Sequence, residues 1–233
     1  MDGAIALGVY YPENDMLMIY LANTQIPDDK YNCIYKLLPE FRRLLVDKRK
    51  SEEAKRETAL AFFLLMYGLK KQGIIDTYSE IDKLGYSAGE HGKPYLFNRK
   101  DIHFSISHTS GMVMCAVSDA EVGCDVEKKK KNRDEIGKIA SRFFAEKEAQ
   151  KIEEVTDNEA VDEFFRIWTG KESYVKRNGL GMTMPFDEFC IYDCETIPVT
   201  VWENDSFVAS VCCENKDYSV EEINWSSEEL IDE

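Results

Sequence analysis

The sequence predicts an α+β fold made of two loosely similar halves. Residues 51–71 and 159–177 are predicted as helices, and each helix is followed along the chain by a pair of strand-like segments. The segments 112–117 and 207–212 share a similar pattern of apolar residues. This similarity indicates an internal duplication, although two unrelated β-hairpins would give the same pattern.

The bulk composition is that of a soluble globular protein. The chain has 233 residues, 44% hydrophobic and 31% charged, which suits one large domain or two small ones. Its longest apolar run, residues 59–66, is far shorter than the roughly 18 residues that span a bilayer. The N-terminus lacks the pattern of a signal peptide, and the seven cysteines form no paired zinc half-sites. We therefore expect reduced thiols and a cytoplasmic location.

The formal net charge of −15 restricts the partners of the chain. Binding to nucleic acid or to anionic membranes needs a basic surface, so the charge argues against both. An anionic substrate would have to meet a local basic patch. The strongest basic cluster is Lys128 to Lys131, followed by Arg133, Lys138 and Arg142. It is either the solvated start of a helix or a docking surface for an acidic partner.

The elements follow from local patterns. Residues 4–22 are predicted as two strands around a turn at residues 12–15. The first long helix begins after Ser51 as N-cap, has acidic residues in its first turn, and stops near Gly73. The later predicted elements are a turn-rich connection at 89–99, a hairpin of 102–107 and 112–118, a strand at 121–127, an amphipathic helix around 136–144, the helix 159–177, strands at 187–192, 197–202 and 206–213, and an acidic tail from Glu214.

Two acidic residues on the predicted strand 121–127 are candidate metal ligands. Asp125 and Glu127 are two residues apart, so on a strand they point to the same face with Cα atoms roughly 6.5 Å apart. Two carboxylates on one face can share a hard cation such as Mg²⁺, which prefers oxygen ligands. Such pairs are common in a chain with 44 acidic residues, so solvated surface stays open as the ordinary interpretation.

Glu172 is the candidate third ligand. On a helix Trp168, Glu172 and Lys176 lie in one row, because they are four residues apart. A buried Trp followed by a surface Glu–Lys pair would have the same spacing, and such a surface pair contributes only a few tenths of a kcal/mol.

Three further polar residues are candidate phosphate contacts. Ser107 and His108 come at the end of the alternating strand 102–107, and Lys93 lies in a rigid Gly-Lys-Pro turn. A hydroxyl, an imidazole and an ammonium group can all bind phosphate oxygens. Ordinary hydrogen-bonded or solvated turn residues would have the same pattern.

Four motifs in this order resemble those of the 4′-phosphopantetheinyl transferases of the surfactin-synthetase-activating (Sfp) type. The motifs are Gly-Lys-Pro at 92–94, Phe-Ser-Ile-Ser-His at 104–108, Gly-Cys-Asp-Val-Glu at 123–127, and Trp-Thr-Gly-Lys-Glu-Ser at 168–173 followed by Lys176. They span about residues 92–176, and the length of the chain fits the family domain.

The resemblance implies a pseudo-dimer of two similar α/β subdomains, with the active site in the cleft between them. We place the N-terminal subdomain at residues 1–119 and the C-terminal subdomain, with its acidic tail, at residues 120–233. The implied reaction moves 4′-phosphopantetheine from coenzyme A to a serine of an apo acyl or peptidyl carrier protein. It depends on Mg²⁺ and releases adenosine 3′,5′-bisphosphate. An internally duplicated chain can build this site as a monomer.

The resemblance also implies roles by position. Three residues would hold Mg²⁺: Asp125, Glu127 and Glu172. Six residues would contact coenzyme A: Arg56, Lys93, Ser107, His108, Lys171 and Lys176. Lys93 and Ser107 would reach the 3′-phosphate region, whereas His108 and Lys176 would reach the pyrophosphate. Glu172, directly or through water, would act as the catalytic base for the carrier serine, with Lys176 neutralising phosphate charge.

Three positions depart from the family pattern. Glu57 follows Arg56 where a small hydroxyl residue is usual, and an acid there would repel a 3′-phosphate. Cys124 replaces Ile or Val and is expected to face away from Asp125. Gly170 replaces a bulkier residue and adds backbone freedom to its helix.

Two other functions are compatible with the acidic residues. A Mg²⁺-dependent nucleotide pyrophosphatase would use the same three carboxylates with water as the nucleophile, and a non-catalytic module would bind coenzyme A or a carrier protein. The pyrophosphatase would leave the basic cluster without a role. The transferase would use that cluster to dock its acidic carrier, through Lys128, Lys129, Lys130 and Lys131.

Overall fold

The computed structural model describes residues 17–129, 133–193, 197–227 and 230–231. It confirms the α+β class. The helices are α1 Asp28–Leu37, α2 Glu40–Asp47, α3 Glu52–Lys71, α4 Arg133–Phe143, α5 Glu146–Glu154 and α6 Asp157–Asn178. The strands are β1 Leu17–Asn23, β2 Tyr86–Ala88, β3 Pro94–Leu96, β4 His103–Thr109, β5 Met112–Ser118, β6 Val122–Lys128, β7 Val199–Glu203, β8 Phe207–Cys213 and β9 Ser219–Glu222. Among these described helices, none has the length and apolarity needed to cross a membrane.

The first sheet packs against helix α3. Its strand order is β4-β5-β1-β9, with β9 parallel to β1 and the other pairs antiparallel. Helix α3 is apolar on nearly all sides, and residues 57–69 are all buried. At its start the backbone N–H of Ala54 donates to Ser51 Oγ over 3.1 Å, so Ser51 is the predicted N-cap. The burial of α3 therefore forms the core of this half.

The second sheet packs against helix α6 at very short range. Its strand order is β6-β8-β7, all antiparallel. A Cβ atom at Gly123 of β6 would lie 2.0 Å from the backbone O of Ser173 and 2.3 Å from the backbone N of Arg177. Only glycine allows this approach. Helix α6 ends at Gly179, which has the left-handed φ of 67° typical of a C-cap.

A third core joins the two sheets face to face. It is formed by buried apolar residues of β1 and β5 on one side and of β6 and β8 on the other. Helix α3 covers the outer face of the first sheet, and α6 covers the outer face of the second. The layers are therefore helix, sheet, sheet and helix. Strands β5 and β8, which share the apolar pattern noted above, each lie in the interior of their own sheet.

The pseudo-dimer and the boundary between residues 119 and 120 stay predictions. The chain from Glu214 includes strand β9, so the prediction of an acidic tail there needs correction. After β9, Trp225 Nε1 donates to Asn23 O over 2.7 Å, and Trp225 is buried in the first core. The C-terminal segment thus returns to the N-terminal sheet because its apolar side chains fill that core.

Other predictions fare unevenly. The hairpin and the strand before the lysine run appear as β4, β5 and β6, and the last two strands appear as β7 and β8. The predicted strand at 187–192 is wrong: residues 186–188 form a 3₁₀ turn. The carbonyls of Phe186 and Phe189 accept hydrogen bonds from Lys171 Nζ instead of from a neighbouring strand. The first predicted N-terminal strand lies outside the described residues, and the second is β1.

Candidate active site

Three of the four sequence motifs meet at one hydrogen-bonded cluster. Lys176 Nζ of α6 lies 2.6 Å from Asp125 Oδ1 of β6 and donates to Ser107 Oγ of β4 over 3.0 Å. The Ser107 hydroxyl donates to the same Asp125 Oδ1 over 2.7 Å. Asp125 is buried, with 4% of its surface exposed. The two halves of the protein therefore contact each other through polar side chains at this cluster.

The pleat of the strands explains why these residues meet. On β4 the alternate residues Ser105 and Ser107 point toward β6, where the backbone N–H of Cys124 donates to Ser105 Oγ over 3.0 Å. On β6 the side chain of Asp125 points away from that of Cys124, as the alternation predicts. The close contact of α6 with Gly123 brings the row of Glu172 and Lys176 over the strand.

Asp125 has an unsatisfied oxygen, which is the observation that fits a cation. Its Oδ2 atom is buried and has no hydrogen-bond partner among the described residues. A buried carboxylate oxygen without a partner is costly, so it is a candidate ligand for an ion that binds with the substrate. The nearby acids are Glu127, whose Oε2 accepts a hydrogen bond from Thr109 Oγ1 over 3.2 Å, and Glu172.

The three predicted ligands do not form a preassembled metal site. Within the described ranges, no group of three His, Cys, Asp or Glu side chains is close enough together to hold a metal ion. Lys176 provides the positive charge beside Asp125 instead. The donor set still suits Mg²⁺, because this ion takes one or two carboxylates and completes its shell with water and substrate phosphate.

The charges at the cluster shift the proton affinity of both α6 residues. Burial, followed by the charge of Asp125, raises the pKa of Glu172 above its ordinary value. Burial by itself would lower the pKa of Lys176, but the negative charge of Asp125 outweighs it, and the Lys176 pKa is raised. Lys176 is therefore a stable cation, whereas Glu172 is a better proton acceptor than an ordinary surface carboxylate.

His108 lies next to the cluster and faces an acid. Its Nδ1 atom is 3.4 Å from Glu57 Oε2 of α3. Burial, followed by the charges of Arg49 and Lys176, lowers the pKa of His108, so the ring is neutral at pH 7. Burial and the charge of Glu53 raise the pKa of Glu57. The departure noted at Glu57 thus places a carboxylate directly against a predicted phosphate contact.

Lys171 is not brought to the cluster, although it precedes Glu172. Its side chain is fully buried on another side of α6, 2.7 Å from Glu148 Oε2 of α5. Its Nζ atom also donates to the carbonyls of Phe186 and Phe189, each over 2.6 Å. Consecutive helix residues differ by about 100° in direction, which separates Lys171 from its neighbour. The predicted phosphate contact of Lys171 has no support in this geometry.

Two other predicted coenzyme contacts are engaged elsewhere. Arg56 forms an ion pair with Asp28 and donates to Ile26 O over 3.0 Å, at the start of α1. Lys93 forms an ion pair with Glu121 and donates to Arg177 O over 2.5 Å, which ties its turn to the end of α6. Lys93 still borders the cavity described next, whereas Arg56 faces α1.

A cavity of about 860 Å³ opens beside the cluster. Residues from both halves line it, and most of them are apolar. They include Lys93, Phe143, Trp168, Glu172, Lys176 and Phe186. Sequence reasoning missed the apolar contribution of residues 184–186, because those residues follow the helix and carry no periodic pattern. The cavity is large enough for a substrate with a long, mostly apolar arm.

The predicted docking cluster is only partly described. Lys128 is exposed, whereas Lys129 Nζ lies 2.7 Å from Asp162 of α6. Lys130 and Lys131 lie outside the described residues. Of the two lysines that can be placed, Lys128 is therefore the one available to a partner.

Comparisons with known proteins agree with the motif resemblance. Residues 121–226 match the family model of the 4′-phosphopantetheinyl transferase superfamily. A 4′-phosphopantetheinyl transferase of Bacillus subtilis is 36% identical over 113 residues, covering 48% of this chain and 49% of that protein. The transferase gsp of Aneurinibacillus migulanus is 38% identical over 138 residues, covering 54% and 56%. The transferase Sfp of Bacillus subtilis strain 168 is 34% identical over 122 residues, covering 52% and 53%. The chain spans about half the length of these relatives in the matched regions.

Proposed function

Residues 121–226 belong to the 4′-phosphopantetheinyl transferase superfamily, and from that premise we propose that this chain transfers 4′-phosphopantetheine. The donor is coenzyme A, and the acceptor is a serine hydroxyl of an apo acyl or peptidyl carrier protein. The other product is adenosine 3′,5′-bisphosphate. We place this reaction at the cluster of Ser107, Asp125 and Lys176 and at the adjoining cavity.

One observation carries the proposal. The residues that the resemblance assigns to pyrophosphate and metal binding lie on three separate elements, yet Ser107, Asp125 and Lys176 contact one another directly. A buried carboxylate with one unsatisfied oxygen beside a cation is suited to binding a metal–phosphate group.

The transfer step needs a nucleophile, a base and stabilised charge. The serine oxygen attacks the phosphorus that carries the pantetheine arm and loses its proton to Glu172, directly or through one water. The bond from this phosphorus to the bridging oxygen breaks, and adenosine 3′,5′-bisphosphate leaves with the electron pair. A Mg²⁺ ion held by Glu172 would lower the proton affinity of this carboxylate, so proton transfer through one water, or in concert with the attack, eases this step. Lys176 stabilises the charge on the phosphate oxygens by electrostatic attraction.

We assign Asp125, Glu127 and Glu172 as the residues that would hold Mg²⁺. When bound, this ion neutralises the pyrophosphate and stabilises the leaving phosphate. The unsatisfied Oδ2 of Asp125 is the atom of this chain best prepared for it. Lys176 forms an ion pair with Asp125 in this structure. A phosphate oxygen of the substrate is the alternative partner for its ammonium group.

The carrier protein is the second substrate in this proposal. Carrier proteins are typically acidic, and this chain has a net charge of −15, so a local basic surface has to supply the complementarity. Lys128 is exposed at the end of β6, three residues beyond Asp125. We assign the docking surface to Lys128, together with Lys130 and Lys131, which lie outside the described residues.

A mass measurement tests the function. The protein is incubated with coenzyme A, Mg²⁺ and an apo carrier protein, and the carrier is weighed. The expected result is the mass gain of one phosphopantetheine, which disappears with a chelator and returns with added Mg²⁺. Cleavage of coenzyme A without carrier labelling would indicate a pyrophosphatase, and no reaction with intact binding would indicate a non-catalytic module.

The Glu172→Gln variant tests the proposed base. We expect it to reduce labelling by roughly a hundredfold or more, the usual contribution of a positioned acid or base. Glu153→Gln on the exposed side of α5 is the matched control, because it makes the same change far from the cluster. Full activity of Glu172→Gln would remove Glu172 from the mechanism.

A further inference from the structure

Three hydroxyl side chains of β4 face strand β6 in a regular series. Ser105, Ser107 and Thr109 alternate along β4, so all three point to the same side of the strand. Backbone N–H groups of β6 donate to them in order, from Cys124 to Ser105 Oγ over 3.0 Å, from Val126 to Ser107 Oγ over 3.4 Å, and from Lys128 to Thr109 Oγ1 over 3.3 Å. Because the partners are always 19 residues apart in the chain, the two strands stay in register.

These hydroxyls take the place of a backbone ladder between the two sheets. Strand β4 is an edge strand of the first sheet, and β6 is an edge strand of the second. Residues 122–126 of β6 are buried, so the N–H groups on their open side need acceptors. The side-chain oxygens of β4 supply these acceptors and thereby join the two halves of the protein.

Two of the three hydroxyls also donate to an acid of β6. Ser107 Oγ donates to Asp125 Oδ1 over 2.7 Å, and Thr109 Oγ1 donates to Glu127 Oε2 over 3.2 Å. In both cases the hydroxyl also accepts from the N–H of the residue that follows the acid. A hydroxyl has one donor and two acceptor sites, so it can make both bonds at once. The same arrangement therefore serves both acids of the strand.

Glu127 needs such a contact more than Asp125 does. Asp125 is buried, and its Oδ1 accepts from both Ser107 and Lys176. Glu127 is only half-buried, and its longer side chain loses more rotamer freedom when it is held in one place. The Thr109 hydroxyl restricts that freedom. Because a β-branched side chain is itself stiff at χ1, the direction of this hydroxyl is well defined.

Resting on the proposed function, we propose that Thr109 is a positioning residue for the Mg²⁺ site, whose hydroxyl holds the Glu127 carboxylate beside that of Asp125. Among the described residues, no three acids are gathered closely enough to hold a metal ion. Restricting Glu127 in advance lowers the entropy cost of gathering them when metal and substrate bind. Hydrogen-bond partners of metal ligands orient the ligand oxygens, and their removal weakens metal affinity by about 10–100-fold.

Calorimetry with coenzyme A at a series of Mg²⁺ concentrations tests the proposal. Mg²⁺ should tighten coenzyme A binding to wild type, and the Mg²⁺ concentration at half of this effect measures how well the ion is held. Thr109→Val keeps the shape of the side chain and removes the hydroxyl. It should raise this midpoint about tenfold and leave the coenzyme A affinity in the presence of a chelator unchanged. Thr109→Ser restores the hydroxyl and should return the midpoint close to that of wild type.

Carrier labelling should separate positioning from catalysis. Because Thr109 acts through Glu127, Thr109→Val should keep most of the wild-type labelling rate at saturating Mg²⁺. The Mg²⁺ concentration for half-maximal labelling should rise about tenfold. In a Glu127→Gln background, Thr109→Val should cause no further loss of Mg²⁺ affinity, since the carboxylate that it positions is already gone. An equal loss in both backgrounds would overturn the proposal.

Ser105→Ala is the matched control. It removes the hydroxyl that accepts from the Cys124 N–H, but the residue before Cys124 is Gly123, which has no carboxylate to position. Ser105→Ala and Thr109→Val each remove an acceptor from an N–H of β6, so both should lower the temperature of thermal unfolding. Only Thr109→Val should raise the Mg²⁺ midpoint. An equal rise in both variants would assign the effect to the junction of the strands and overturn the proposal, as would an unchanged midpoint in folded Thr109→Val.

The outcomes separate this inference from the proposed function. Wild type that labels the carrier but binds coenzyme A equally well with and without Mg²⁺ overturns the inference alone. Wild type that cleaves coenzyme A without labelling a carrier overturns the proposed transfer, whereas the Mg²⁺ midpoint of Thr109→Val still decides the positioning role. If wild type neither binds coenzyme A nor labels a carrier, the proposed function fails and the inference fails with it.

Discussion

Helix α6 carries two lysine–carboxylate pairs that differ in burial. We call the fully buried one the sealed pair and the partly exposed one the open pair. Lys171 lies 2.7 Å from Glu148, and neither side chain has any exposed surface. Lys176, five residues later, lies 2.6 Å from Asp125, with 31% of its side chain exposed. One helix therefore presents a sealed pair to the core of its own half and an open pair to the other half of the protein.

The sealed pair has a partner for each of its charged groups. Glu148 Oε1 accepts from the backbone N–H of Ile191 over 2.8 Å, and Oε2 accepts from that of Ala145 over 3.1 Å. In the open pair, Asp125 Oδ2 has no hydrogen-bond partner in the part of the chain that the structure describes, and Lys176 borders the cavity. A sealed pair has no capacity left for a ligand, whereas the open pair has both an acceptor and a cation available. Similar ion pairs on one helix can thus serve structure in one place and chemistry in another.

The largest effect on stability is expected from Glu148→Ala. This change leaves Lys171 as a buried charge without its carboxylate, which lowers the free energy of unfolding by about 3–5 kcal/mol. Chemical denaturation measures it. The comparison predicts that the fraction of protein still folded keeps its labelling activity. A stability loss of less than about 1 kcal/mol, which is typical of an exposed surface ion pair, would mean that the Lys171–Glu148 pair is not fully buried.

The second-largest loss of stability is expected from Gly123→Ala. This change disturbs the Lys176–Asp125 pair and leaves the Lys171–Glu148 pair in place. The added Cβ would lie 2.0 Å from the backbone O of Ser173, so α6 has to move away from β6. Overpacking of this kind lowers the free energy of unfolding by about 1–3 kcal/mol. Carrier labelling should fall strongly as well, because Lys176 moves relative to Asp125. Gly137→Ala on α4, where an added Cβ meets no atom within 4 Å, is the control. Equal behaviour of the two variants would contradict the role of the close contact.

Asp125→Asn should abolish activity while changing the stability of the fold only slightly. The amide has the shape of the carboxylate but no charge, so the open pair loses its attraction without leaving a cavity. Because Lys176 is partly exposed, we expect a stability change of about 1 kcal/mol or less. Labelling of the carrier should become undetectable. Retained labelling at high Mg²⁺ would place the essential carboxylate elsewhere.

The smallest expected effect is a pH-dependent gain in stability for Glu57→Gln relative to wild type. Burial and the charge of Glu53 raise the pKa of Glu57, so its ionised form destabilises the folded state. Below the ordinary pKa of a glutamate both variants carry a neutral side chain and should be equally stable. As pH rises through the raised pKa, wild type should lose stability relative to Glu57→Gln, by less than about 1 kcal/mol. Thermal unfolding from pH 4 to pH 7 measures this difference. A constant difference across that range would show that the Glu57 pKa is not raised.

Much of the fold could be predicted from local patterns. The capped helix α3, the hairpin of β4 and β5, and the row of Trp168, Glu172 and Lys176 on α6 follow from periodicity and capping signals. Such features depend on residues close in sequence. The segment at 187–192 was predicted as a strand, but the carbonyl of Phe189 within it, and that of Phe186 just before it, accept hydrogen bonds from Lys171 Nζ. That competition comes from another element and leaves no local signal.

The sequence predicted which residues belong to the candidate site, but not which contacts each of them makes. The motifs identified Ser107, Asp125 and Lys176, and these three residues meet. The fourth motif also named Lys171, and the family resemblance named Arg56 by position, but both side chains contact other partners.

By itself, the sequence determined the α+β class, the main helices and strands, and the residue types for phosphate chemistry, because these depend on composition, periodicity and short motifs. Only the tertiary structure decided which lysine of α6 is fully buried with its carboxylate and which stays partly exposed. The physical reason is that burial and pairing depend on contacts between residues far apart in the chain. Glu148 forms a buried ion pair with Lys171, and the close approach of α6 to Gly123 places Lys176 next to Asp125.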